Sequence, residues 1–398
     1  MQDRYDVAVV GGGLAGTVAA LLASAQGWNV AFIAPPPPRQ DGRTTALLSE
    51  SVDLLKRLGV WDEVLPSSAP LRTMRILDGT NRLFRAPPVQ FHSSEIGLDA
   101  FGYNIPNKPL LDALHHKASG TPGIVRIEAA LSGALQEDES VSLRMDDGSC
   151  ITALACIAAD GRNSALREAV GIKVRSWTYP QSALVMNFSH QFGHGDVSTE
   201  FHTEEGPFTQ VPLPGNRSSL VWAVKPGDVD AILGLSRDRL NIEIETRMRS
   251  ILGKVEVDND PQAWPLSSLI ADQFGVGRAM LVGEAGHAFP PIGAQGLNLG
   301  LRDINQAIDS LREASGPEHA PLAVSRYNRK RRLDITSRTA GVDLLNRALL
   351  SDFLPMQALR AGGLAALSAL PPLRMLAMRE GMTPGWRGKS PFRSAQSG

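Results

Sequence analysis

Three clusters of glycines, acids and arginines hold the residues of this 398-residue chain that could support chemistry. The longest is 278–303, RAMLVGEAGHAFPPIGAQGLNLGLRD. Its apolar start, 279–282, predicts a short strand that runs into Gly283 and Glu284. A proline pair follows, then the small-residue loop Gly293, Ala294, Gln295 and Gly296, and a helix predicted to open near Leu297. An acid at a strand end can hold a ribitol or ribose hydroxyl. Free N–H groups at a helix start, with the positive end of its dipole, suit an electron-rich group. Two such devices so close in sequence point to one extended ligand.

The N-terminus supplies the other end of that ligand. Residues 5–10 (YDVAVV) predict a buried parallel strand, followed by Gly11, Gly12, Gly13, Leu14, Ala15 and Gly16 and by a helix over 14–26. This is G-x-G-x-x-G in strand–turn–helix context, the fingerprint of a dinucleotide site. Gly11 allows the tight turn, Gly13 lets a pyrophosphate approach the backbone, and Gly16 lets the helix pack on the strand. The second strand, 29–33, should end in an acid for the adenosine ribose, but Ala34 stands there, with Pro35, Pro36, Pro37 and Pro38 next. Losing a charge-assisted hydrogen bond weakens binding by about 1.5–3 kcal/mol unless Asp41 or a backbone group substitutes. The third cluster is 156–167, CIAADGRNSALR, where a strand ends in Asp160 and Gly161. Ser164 and Arg167 follow at helical spacing; alone, this could be a capped helix with Arg167 in solvent.

Other elements must position these clusters. Helices are predicted over 49–58 and 108–117, and strands within 125–144 and 151–159. From about residue 174 the pattern changes to alternating strands at 183–187, 199–202, 208–213 and 218–224, as in an antiparallel sheet, closed by a helix over 238–252. After Asp303 the chain is mostly helical: 304–314, 323–337, 341–350 and 355–367, with a disordered 390–398. The nucleotide-binding part is therefore discontinuous, with a sheet inserted in it. The predicted division gives 1–70, 101–173 and 266–340 to the nucleotide domain, 71–100 and 174–265 to the sheet domain, and 341–398 to a helical tail.

A net charge of −1 gives no electrostatic case for nucleic acid, and no Cys/His spacing suggests a metal. Cys150 and Cys156 are expected as thiols in a reducing compartment. The nearly uncharged 7–25 could pass for a membrane span, but its glycines and the preceding Asp3 argue against that and against a signal peptide. The next most apolar stretch, 356–378, is interrupted by Arg360, Pro371, Pro372 and Arg374. A cytoplasmic protein is expected; its C-terminal helices and the basic run Arg326, Arg329, Lys330, Arg331 and Arg332 suit either a peripheral contact with the inner membrane or a solvated face and a tail packed on its own domain.

In this order the three clusters resemble the single-component FAD-dependent aromatic hydroxylases. The run PPIGAQGLNLGLRD is similar to that of the ubiquinone-biosynthesis hydroxylases, as are GRTTALLSESVDLLKRLGVWDEV, FGYNIPNKPLLDAL and GPFTQVPLPGNRSSLVW. The resemblance implies an α/β fold. A Rossmann-like FAD-binding domain, three-layer ββα, would carry an inserted, mostly antiparallel β-sheet substrate domain and a C-terminal helical extension. It places FAD against Gly11, Gly13, Leu14, Ala15, Gly16, Arg43, Asp160, Arg167, Gly283, Glu284, Gly293, Ala294, Gln295, Gly296, Leu297 and Asn298. Pro291, Gly293 and Gln295 would line the flavin, which itself performs the chemistry, so no side chain is assigned as catalytic. His287 is expected as scaffold and Gln181 as a sheet position or flavin contact; His202 has no assigned role.

NAD(P)H and O2 are the implied co-substrates, acting through a flavin C4a-hydroperoxide, and Arg167 is a candidate nicotinamide-nucleotide contact. The implied substrate is a polyprenylated phenol, within a quinone-biosynthesis complex. The competing expectations are a non-catalytic scaffold of such a complex and a hydroxylase of another, soluble aromatic. Besides Ala34, two residues depart from the pattern: Glu284 replaces an Asp, and Pro290 stands where His is usual.

Overall fold

The computed structural model describes residues 4–36, 42–80, 87–290, 295–332, 334–335, 362–363 and 367–382. Two large sheets organise them. In the first, Arg4–Val10 lies between the parallel strands Val30–Ile33 and Cys150–Ala158, with Ile124–Ile127 beyond the former and Ala279–Leu281 beyond the latter. Val7, Ala8 and Val9 are fully buried because both faces are covered, which is why this strand has an unbroken apolar run. The helix Leu14–Ser24 covers one face with Gln295–Glu313 against it. The carboxyl ends of three neighbouring parallel strands thus carry Gly11, the Asp160 turn and Gly283 side by side. That edge is where open α/β sheets bind ligands.

The second sheet has nine strands built around the 17-residue strand Val174–His190, which pairs antiparallel with Arg217–Val224 and Gln262–Ala271. The alternation at 183–187 marked only the middle of this strand; partners on both sides extend it. Leu184, Met186, Phe188, Phe208, Leu220 and Trp222 on one face are buried with Leu240 and Ile244 of the helix Arg237–Arg247. The other face turns to the nucleotide half. Asn187 Nδ2 donates to the Gly42 carbonyl at 3.1 Å, and Ser219 Oγ accepts from Thr44 Oγ1 at 2.9 Å and Asn104 Nδ2 at 3.2 Å.

Strand Gln262–Ala271 runs through the division expected at 265/266 and pairs with His287–Ala288, so the two halves share a sheet there. The helix expected to open near Leu297 and the one expected over 304–314 are a single helix, Gln295–Glu313. The helices expected over 341–350 and 355–367, most of the 341–398 tail and the disorder expected at 390–398 lie outside the described residues; within that tail Pro371–Met382 is helical.

Cys150 is exposed, whereas Cys156 is buried in the parallel sheet, where burial pushes its thiol up to about 12. At neutral pH a thiol reagent is therefore expected to modify Cys150 alone, with Cys156 reacting only on unfolding. Counting modified thiols before and after denaturant checks this.

Candidate dinucleotide site

The Gly11–Gly16 turn is built by close approaches that only glycine permits. Gly11 has φ +117°, and a Cβ there would clash with the Ala159 backbone; a Cβ at Gly16 would collide with the Gly11 carbonyl. Gly13 differs. A Cβ there would meet nothing within 4 Å, and no side chain caps the helix that starts after it. The first N–H groups of Leu14–Ser24 therefore face an open space, as an anion cradle requires. His115 fixes the turn from outside: its Nε2 lies 2.8 Å from the Gly12 carbonyl oxygen. Nothing in the glycine motif signals His115, which belongs to the separate helix Asn107–Ser119.

Asp160 ends its strand beside this turn. Its Oδ2 accepts from the Leu166 N–H at 3.1 Å, while Oδ1 is buried without a hydrogen-bond partner. Burial raises the Asp160 pKa, against the lowering effect of its bonds to Ser164 and Leu166. Ser164 caps the following helix by accepting from the Arg167 N–H at 3.0 Å. Arg167 is not in solvent. It is 4 % exposed and donates to the Ala285 carbonyl at 2.9 Å, tying the Asp160 turn to the Gly283 turn.

In that third turn Gly283 has φ +57° and packs on Gly300, whose added Cβ would come 3.2 Å from the Gly283 Cα. Glu284 is the one exposed residue between Ala279 and Ala288. The turn is held from below by Asp303, whose Oδ2 accepts from the Gly283 N–H at 2.9 Å and from His287 Nε2 at 2.6 Å. Asp303 Oδ1 pairs with Arg331, which donates to Asp334 at 2.6 Å; these side chains are 1–2 % exposed. Burial opposes the Arg331 charge, but Asp303, Tyr327 and Asp334 together outweigh it and raise its pKa. His287 is thus a scaffold residue, stacked on Phe289 at 5.3 Å.

The expected flavin end is partly visible. Pro291, Gly293 and Ala294 lie outside the described residues; Gln295 opens the helix, Gly296 is exposed and Leu297 half-buried. Asn298 is a latch. Its amide donates to the Ala46 carbonyl at 2.8 Å and accepts from the Leu48 N–H at 2.9 Å and Ser51 Oγ at 2.7 Å. This pins the helix start to the strand Thr44–Leu48, just after Arg43. Arg43 is exposed, with its guanidinium 5.1 Å from the Trp264 ring centroid, a contact across the two halves that sequence reading missed. Gln181 is a buried sheet residue that donates to the Glu205 carbonyl at 2.8 Å. Ala34 is fully buried in the core and offers no group to a ribose. Asp41 lies outside the described residues.

The open cradle at Gly13, the orphan oxygen of Asp160 and the outward Glu284 fit a dinucleotide laid across three strand ends. FAD would supply the oxygen chemistry there, while the protein orients it and shields it from water. Asp160 has a measurable signature. Its folded pKa lies above the unfolded value, so apoprotein stability falls as pH rises from the unfolded value through the folded one. Asp160→Asn removes this cost, so the apoprotein should melt higher while FAD affinity drops about tenfold, roughly 1.4 kcal/mol. Melting curves of the apoprotein and FAD titration of both proteins check the two halves.

The chain belongs to the family described as FAD binding domain, which matches residues 4–339, and it is a flavoprotein aromatic monooxygenase using FAD. Among characterised relatives it is similar to the ubiquinone hydroxylase UbiL of Rhodospirillum rubrum, 32% identical over 95% of this chain and 89% of that protein. It is also similar to the 3-demethoxyubiquinol 3-hydroxylase of Escherichia coli, 31% identical over 94% of this chain and 97% of that one. The p-nitrophenol 4-monooxygenase PnpA of Pseudomonas putida shares its fold, with TM-score 0.77 at 18% identity, covering 98% of this chain and all of that one.

Proposed function

We propose that this enzyme hydroxylates the ring of a polyprenylated phenol in ubiquinone biosynthesis, using NAD(P)H and O2. FAD would lie across Gly11–Gly16, Asp160 and Glu284, with its ring near the start of helix Gln295–Glu313. The observation that carries this reading is the end-to-end similarity to two ubiquinone-pathway hydroxylases. A half-buried strip of the second sheet supports it: Val185, Val221 and Val211 face the nucleotide half, and the strip continues through Thr209 and Glu200 to Ile76, a mostly apolar surface suited to a greasy ring substrate.

Helix Pro371–Met382 supports a route from a membrane. Met375 and Met378 pack with Met74, Phe91 and Phe101, next to that strip. Leu370, Leu373 and Leu376 are 53%, 40% and 56% exposed. Of the basic run, Arg331 is buried and Arg326 and Lys330 bond Glu313, while Arg329, Lys330 and Arg332 are exposed. No helix among the described residues is long and apolar enough to cross a membrane.

The decisive assay mixes FAD-loaded protein, NAD(P)H, O2 and a farnesylated phenol. A product heavier by one oxygen atom is expected; FAD-loaded protein that never yields it would refute the reading. Vesicle co-sedimentation should weaken in a Leu373→Glu, Leu376→Glu double variant while FAD binding stays intact.

A further inference from the structure

Across the face of the second sheet turned to the nucleotide half, five neighbouring strands put Val185, Val221, Thr209, Glu200 and Ile76 in one row. All five are half-buried, unlike the sealed residues behind them. Glu200 is the only ionisable residue of the row, and its carboxylate is held in place. His202, two residues along and on the same face, donates from Nε2 to Oε1 at 2.8 Å, and Thr209 Oγ1 approaches Oε2 at 3.4 Å. The His202 side chain is 8% exposed and that of Glu200 25%. A carboxylate has about four acceptor positions, so sites remain for a further donor.

We propose that Glu200 is a catalytic residue that accepts the proton of the substrate's phenolic hydroxyl, with His202 as its positioning residue. This rests on the functional reading above. A phenol ionises only near pH 10, yet its anion is far more reactive towards electrophilic oxygen. The phenolic O–H bond breaks, the proton moves to a Glu200 oxygen, and the electron pair stays on the phenolate to drive the ring carbon onto oxygen. The oxidant is the O2 of the enzyme's own reaction: one oxygen atom enters the ring, and the other leaves as water with the two electrons that NAD(P)H supplies. When the ring carbon releases its hydrogen as a proton to water and aromaticity returns, Glu200 gives its proton back to the phenolic oxygen. Glu200 therefore ends each turnover unchanged.

The test compares wild type, Glu200→Gln, Glu200→Asp and His202→Gln, all FAD-loaded, on a farnesylated phenol and on its methyl ether, which has no phenolic proton. Wild type should strongly prefer the phenol. Glu200→Gln should bind FAD and melt like wild type but lose about a hundredfold in hydroxylation of the phenol, with little further loss on the ether. Glu200→Asp, which keeps the charge but loses reach, and His202→Gln should fall in between. Equal losses on both substrates would mean a structural role and overturn the proposal, as would phenol activity within about twofold of wild type. If Glu200→Gln fails to fold, the same criteria apply to Glu200→Asp. Wild type inactive on the phenol would sink the functional reading itself, a different result from an active wild type with an equally active Glu200→Gln.

Discussion

Gly13→Val is expected to give a folded protein that no longer takes up FAD. Gly13 has φ −77° and ψ −176°, extended backbone that valine also adopts, and the space beside its Cα is open. The protein thus has little to lose beyond roughly 1 kcal/mol for a poorer helix cap. The pyrophosphate has much to lose, because the new side chain fills the place where it must reach the helix N–H groups. FAD affinity should fall at least about a hundredfold, close to 3 kcal/mol. Gly16→Ala makes the contrast. Its Cβ would collide with the Gly11 carbonyl, so it should destabilise the apoprotein itself by about 1–3 kcal/mol. FAD titration with apoprotein melting separates the two; a Gly13→Val protein that stays yellow would remove Gly13 from the cradle.

The second large effect should come from Asp303→Asn, a buried residue beneath the Gly283 turn. Its carboxylate answers Gly283, His287 and Arg331 together, at 1% side-chain exposure. Neutralising it leaves the buried Arg331 facing Asp334 alone. Breaking a buried pair costs about 3–5 kcal/mol. For a chain of this size that is a fall in melting temperature of about 5 °C. Because the same carboxylate sets the Gly283 turn, FAD should also bind more weakly, whereas Asp334→Asn should cost stability with a smaller effect on FAD. Melting curves with and without FAD measure both; equal FAD affinity in the two variants would break the link from Asp303 to the site.

The parallel half of the fold was legible because its chemistry is local. The strand–glycine–helix unit at Gly11–Gly16 specifies its own conformation through turns that exclude other residues, and each acid stands next to its own strand end. The inserted sheet was legible only in outline. Strand Val174–His190 carries an irregularity between Thr178 and Ser182, where its pairing shifts register and its alternation breaks with it. The role of Arg167 could not be read from spacing, because a buried donor and a solvated one look alike at the same helical position. Within the basic run 326–332 the burial of Arg331 was hidden for the same reason: it faces two acids, one of them 28 positions earlier.

The sequence by itself determined the strand–glycine–helix turn and the family, since Gly11 and Gly16, which tolerate no Cβ, and acids next to strand ends carry their constraints in residue type and order. Only the tertiary structure decided which polar groups meet. It joined Asn298 to Leu48, His115 to Gly12 and Arg43 to Trp264, and set Glu200 between Thr209 and Ile76 on the sheet face turned to the nucleotide half. Such contacts depend on the face each element turns to a distant partner. That choice is made by the burial of the whole chain, which no short stretch of residues encodes.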